Sequence, residues 1–242
     1  MRGILRYRPA AWFLLTAIFA AGMRAQTEAK QTVTEFMGHK VILVEPKRDA
    51  DGFAEEPYRV CFDVGPESPK PLAHCFTAPP SLYSYPPYGF DPELTPVDLG
   101  DGRSALLFTT WTTAGGSGSS RLVALLRAPD ASNLMPVVEL SEVSGYTFRR
   151  EPSISDAPIF ITADAEWGIG EAHHDRHRYI LSVYVMDEDE SYHLQDRYMT
   201  VRAYEETPNL DKPEIFDGEK PEILARLQRV KAEEERRKQA PQ

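Results

Sequence analysis

"PIFITADAEWGIGEAHHDRHRYILSVYVM", residues 158–186, places two runs rich in Ile, Val, Phe, Tyr and Thr, at 158–167 and 178–186, on either side of a polar segment opened by Gly168 and Gly170. Runs of that composition, bounded by glycine, read as the two strands of an antiparallel hairpin. Between them "EAHHDRHRY", 171–179, holds three of the chain's six histidines. His173 and His177 stand four apart, a spacing that makes neighbours on a helix but leaves about 13 Å between them along a strand. With strands on both flanks, the stretch predicts a hairpin loop entering its second strand. Glu171, Asp175, Arg176 and Arg178 are then expected to pair with one another or with water.

The same signal extends outward in both directions. Short β-rich runs fall at 40–45, 58–64, 74–78, 105–111, 121–127, 135–140, 145–149, 191–199 and 201–204, mostly separated by Gly, Pro, Asn or Asp. No helical period intervenes, so the chain is expected to be all-β, an antiparallel sandwich, barrel or propeller-like sheet of about 10 short strands. One C-terminal α-helix is predicted at about 221–238, with Pro221 at its first position and Ile223, Leu224, Leu227 and Val230 as its apolar stripe. The organisation reads as a signal peptide at 1–25, a lead-in at 26–39, one β domain at 40–204 and a charged C-terminal segment at 205–242. Residues 65–96 hold nine of the twenty prolines and read as a Pro/Tyr-rich loop. Its Tyr83, Tyr85, Tyr88 and Phe90 either pin that loop to the core or form a binding surface.

Residues 1–25 carry Arg2, Arg6 and Arg8, an apolar run from Ala10 to Ala21, and small residues near Ala25, the build of a secretory signal. The run is short of the roughly 20 residues that span a bilayer, so the processed chain is not expected to be an integral membrane protein. Losing those residues removes Arg2, Arg6, Arg8 and Arg24 and no acid, so the formal charge of −10 falls by four to −14. Such a balance opposes nucleic-acid binding and unaided adhesion to anionic lipid. Cys61 and Cys75 are the two cysteines of the chain. In an exported protein they are expected to form one disulfide. The expected location is secreted or periplasmic, and the expected partner a protein or cell-envelope component.

Several stretches point toward chemistry. "LAHCF", 72–76, with "GGSGS", 115–119, resembles the trypsin-like serine proteases, and the resemblance implies His74 as base, Ser117 as nucleophile, and Asp98 or Asp101 as orienting acid. Ser119 stands where that family has a glycine, and Ser117 follows His74 by 43 positions. "DLGDGRSALLF", 98–108, resembles the calcium loops of FG-GAP-type propeller repeats, which implies Asp98 and Asp101 as ligands. Gly100 occupies a ligand position of that pattern, and an Asp-Gly turn entering a strand also accounts for the stretch. Glu171, His173, Asp175 and His177 are the candidate zinc ligands, since a catalytic zinc takes three protein groups and a water. No stretch completes a catalytic motif. The sequence thus favours an exported, non-catalytic β protein that binds a macromolecular or cell-surface partner through its loops, with no cofactor expected. The alternatives are a zinc hydrolase at 171–177, a serine-protease-like hydrolase, and a calcium-binding loop at Asp98 and Asp101.

Overall fold

The computed structural model describes residues 31–54, 56–63, 75–82, 84–114, 118–129, 133–172, 175–205 and 212–239. For 84, 85, 113, 114, 118, 119 and 142 it describes the backbone alone. Among the described residues the fold is antiparallel β, with 13 strands in three sheets and one C-terminal helix.

Each sheet is built from consecutive strands. The first runs β1 (Gln31–Phe36), β2 (His39–Val44), β3 (Arg59–Phe62), β4 (Cys75–Thr77). The middle sheet runs β5 (Ser84–Gly100), β6 (Arg103–Ala114), β7 (Gly118–Arg127), β8 (Met135–Val143). The third takes β9 (Gly145–Arg149), β10 (Ile159–Glu166), β11 (Arg176–Met186) and β12 (Tyr192–Met199), and β13 (Tyr204–Glu205) also pairs with β11.

Strand alternation explains how the sheets stack. Leu106 and Phe108 of β6, with Leu122, Ala124 and Leu126 of β7, join Val41, Leu43, Val60, Phe62 and Phe76 of the first sheet in one core. Their neighbours Ala105, Leu107, Val123 and Leu125 point the other way, into a second core with Phe160, Met186 and Tyr192 of the third sheet. The middle sheet is therefore buried on both faces, which is why "SALLF" and "RLVALLR" read as nearly continuous apolar runs. On its far side the third sheet meets α1 (Pro213–Gln239) through Ile159, Ile161, Tyr179, Leu181, Ile215, Phe216, Ile223 and Leu227. The result is a layered sandwich of three sheets and a helix.

Cys61 and Cys75 face each other across β3 and β4 and form a disulfide, Cα–Cα 4.1 Å.

Three expectations need correction. Within the expected loop at 65–96, residues 84–96 belong to β5, while 65–74 and 83 lie outside the described residues. β5 is an outer strand of its sheet, where residues without a backbone N–H, such as Pro86, Pro87, Pro92 and Pro96, are tolerated. Its register slips between Tyr85 and Phe90, between Phe90 and Glu93, and between Asp98 and Gly100. Gly89 sits at φ 73°, and a Cβ there would lie 2.3 Å from the Trp111 carbonyl oxygen, so only glycine lets the strand approach so closely. The expected lead-in at 26–39 contains β1, which returns into β2 through Met37 and Gly38, both at positive φ. The helix starts at Pro213, eight residues before Pro221, which lies inside it. Its first turns are held down by buried Ile215, Phe216 and Glu219, a tertiary contribution stronger than the proline's local penalty.

Candidate functional site

The hairpin that opened the sequence reading forms as expected. β10 and β11 pair from Phe160↔Tyr184 to Glu166↔Arg178, and the connection runs over residues 167–175. On β11 the alternate residues His177, Tyr179, Leu181 and Val183 are all buried. His177 thus takes the inward parity of its strand, and the structure finds it fully buried.

The loop folds onto that imidazole. The Glu171 amide donates to the Gly168 carbonyl at 3.2 Å, and the Gly168 amide donates to Glu171 Oε2 at 2.9 Å. The same Oε2 lies 2.8 Å from His177 Nδ1. A carboxylate only accepts, so Nδ1 carries the proton of this bond. The Trp167 ring packs at 4.3 Å from the imidazole, centroid to centroid. His177 Nε2 is buried with no hydrogen-bond partner among the described residues. The Gly168 amide first, and then His177, hold the Glu171 carboxyl below the usual carboxylate range, against a smaller upward pull from desolvation and then from Asp175. Asp175 closes the second half of the loop, accepting from the Ala172 amide at 2.7 Å while its own amide donates to the Ala172 carbonyl at 2.8 Å.

This braced loop presents apolar side chains to solvent. Ile169 is fully exposed and Trp167 is 39% exposed. On the opposite side of β11, Thr200 takes the Tyr179 amide on its Oγ1 and gives its own amide to the Tyr179 carbonyl. The chain then bends before Tyr204 pairs with His177. That bend leaves Val201 almost wholly exposed, with Met199 half exposed beside it. The sequence reading missed Trp167 and Ile169; the signal available was an apolar pair flanking Gly168 in a turn that needs no apolar residue.

The other expected sites are placed as follows. Glu171 and His177 meet, but engage each other, and Asp175 is occupied by the Ala172 amide; His173 and His174 lie outside the described residues. Among the described residues no three His, Cys, Asp or Glu side chains gather as metal ligands. Asp98 Oδ1 accepts from the Gly100 amide at 2.8 Å and its Oδ2 from Arg150 at 2.8 Å, while Asp101 faces Arg103 at 3.3 Å. Both carboxylates of the calcium-like stretch are thus paired with arginines. His74 and Ser117 lie outside the described residues. Tyr88 is half-buried against the first core, and Phe90 is half-buried and pairs with Trp111. Tyr83 lies outside the described residues, as does the side chain of Tyr85.

No family model, curated protein or solved structure matches this chain. Function rests on the geometry alone.

Proposed function

We propose that the protein is exported and non-catalytic, and that it binds a macromolecular or cell-surface partner through the loop at 167–175. The observation that carries this reading is a loop segment both braced and apolar: the Glu171–His177 bond holds it from beneath while Trp167 and Ile169 face solvent. Burying the fully exposed Ile169 side chain in a partner contributes about 1.5–3 kcal/mol. A braced loop loses little further conformational entropy on binding. The Cys61–Cys75 disulfide supports an oxidising compartment, and among the described residues no helix is long and apolar enough to cross a membrane. Less supports a zinc hydrolase at 171–177, because Glu171 is turned onto His177 and the imidazole Nε2 is shut away from solvent.

The test replaces Ile169 with a photoreactive phenylalanine analogue in the exported chain on cells of its own host, with Glu35 as control site. One discrete adduct from position 169, lost on Trp167→Ala and absent from position 35, is the expected result. Equal labelling at both positions, or none at either, overturns the binding reading. Export has its own readout in the same preparation: a mature chain beginning near residue 26 without free thiols. A chain that keeps residues 1–25 and reduced cysteines removes the export claim.

A further inference from the structure

At the other end of β11 from the hairpin loop, a cleft of about 200 Å³ opens between α1 and the third sheet. Its floor is apolar: Ile154, Val185, Met186, Leu227 and Val230. Asp187, Lys231 and Glu234 stand at its mouth. The volume is below the roughly 300–1,000 Å³ that takes a drug-sized ligand, so it suits a single long side chain. We propose that this cleft receives a lysine or arginine, flanked by apolar residues, from an extended segment of a partner protein.

Charge and shape both favour that occupant. A basic side chain has an aliphatic stem that covers an apolar floor and a charged head that must end beside acceptors. Asp187 and Glu234 supply carboxylates at the mouth; among the described residues neither is in an ion pair, and Asp187 keeps Oδ2 for a ligand while its Oδ1 accepts the Glu188 amide at 2.7 Å. Glu188, exposed in the adjoining turn, adds a third acid against the single cation Lys231. The rest of that turn is already engaged, since Asp189 pairs with His193 and Glu190 with Arg127. The chain as a whole carries −10, so its field steers a basic partner toward such a mouth. A peptide fits better than a small amine because β12 is the outer strand of its sheet and lends Gln195 to the cleft. A segment running along that edge sets alternate side chains toward it. The inference does not rest on the hairpin reading, from which it is separated by the length of β11.

The experiment titrates the full chain with acetyl-Lys-Leu-Lys-Leu-Lys-amide and follows backbone amide shifts by NMR, with the Glu-for-Lys peptide as counterpart. Shifts are expected at Val185–Asp187, Gln195 and Leu227–Glu234 with the lysine peptide alone. Asp187→Asn with Glu234→Gln should weaken binding about tenfold, the scale of two rim charges, while Glu35→Gln with Asp51→Asn leaves it unchanged. All four changes neutralise exposed charges, so folding is preserved. Shifts elsewhere, equal response to both peptides, or equal weakening by both variant pairs overturn the proposal. Butylamine binding as tightly as the peptide makes it a small-amine site, and concentration-dependent shifts without peptide make it a contact between two copies; either result overturns the peptide assignment.

Discussion

The third sheet is sealed on its two faces by different means. Toward the middle sheet, Phe148 and Phe160 stack at 4.7 Å, with Tyr184 and Tyr192 around them, and the Tyr192 hydroxyl donates to the Pro158 carbonyl at 2.8 Å. Toward α1, Ile159, Ile161 and Leu181 meet Ile215 and Phe216, but a carboxylate sits among them. Buried Glu219 accepts from the Tyr204 hydroxyl at 2.7 Å and from the Tyr198 hydroxyl at 3.3 Å. Arg226 covers the Tyr198 ring at 4.3 Å and pairs with Asp196. The polar bonds across the sheet-to-sheet seam, Arg150 to Asp98 and Arg127 to Glu190, lie at its solvent-facing rim, so its interior rests on area and shape, which tolerate small slides; the helix seam puts a directional bond inside, and that bond holds for one helix position alone.

Breaking the first seam should cost most. Phe160→Ala removes a fully buried ring shared by four aromatic neighbours and should lower unfolding free energy by about 3–5 kcal/mol. Denaturant unfolding followed by β-sheet circular dichroism measures it, and a loss below 1 kcal/mol would mean that the two sheets do not share a core. Glu219→Ala should cost less, about 1–3 kcal/mol, because two buried hydroxyls lose their acceptor. Its effect should be local, with amides of 213–230 exchanging faster while β6 and β7 stay protected. Adding Tyr198→Phe and Tyr204→Phe should recover much of the loss, since apolar pairs need no acceptor. A drop spread evenly over all three sheets contradicts the division into two seams.

Alkali separates the seams more gently. Burial and the Glu219 bond push the Tyr204 hydroxyl up to about 12. A phenol in the unfolded chain ionises near pH 10. The Tyr204 contribution is therefore whole below about 10 and fades as pH rises toward about 12. Burial raises Tyr192 and Tyr198 as well, so the measurement is the difference between the parent and Tyr204→Phe. The phenylalanine variant should lose less stability between pH 9 and 12, and parallel curves for the two chains refute the link.

The two seams also differ in how much of them the sequence discloses. The nearly continuous apolar runs "SALLF" and "RLVALLR" mark strands buried on both faces, so an all-β antiparallel sandwich is legible. β5 is not, because prolines signal loops unless a strand is known to lie at an edge, and edge position is a property of the assembled sheet. The helix seam is hidden for a related reason. Ile215, Glu219, Ile223 and Leu227 follow helical spacing, yet a glutamate in the stripe and Pro221 beside it argue for a later start. Only the tertiary bond to Tyr198 and Tyr204 makes that glutamate an inward residue. At the hairpin, the inward parity of His177 could be read from Tyr179, Leu181 and Val183. Its partner Glu171 could not, since it lies six positions earlier, in the loop before the strand.

The brace at Glu171 continues the helix-side face of the sheet beyond the end of the helix contact, and it should respond to the mildest perturbation. An ordinary glutamate titrates near 4.3, whereas the Gly168 amide and His177 hold Glu171 lower. A depressed carboxyl stabilises the folded loop fully above the ordinary value and loses that contribution as pH falls through its own. The loop should keep its form from neutrality to about pH 5 as far as Glu171 governs it, and loosen only in stronger acid. The Glu171 side-chain carbonyl carbon, followed by NMR, reports this directly, with a midpoint below that of an unfolded glutamate. His177→Phe removes one of the two donors and should raise the midpoint part of the way, because the Gly168 amide remains. A midpoint at or above the ordinary value in the parent would mean that the carboxylate does not brace the loop. Trp167 and Ile169 would then be held by packing alone, and the helix-side face would end where α1 does.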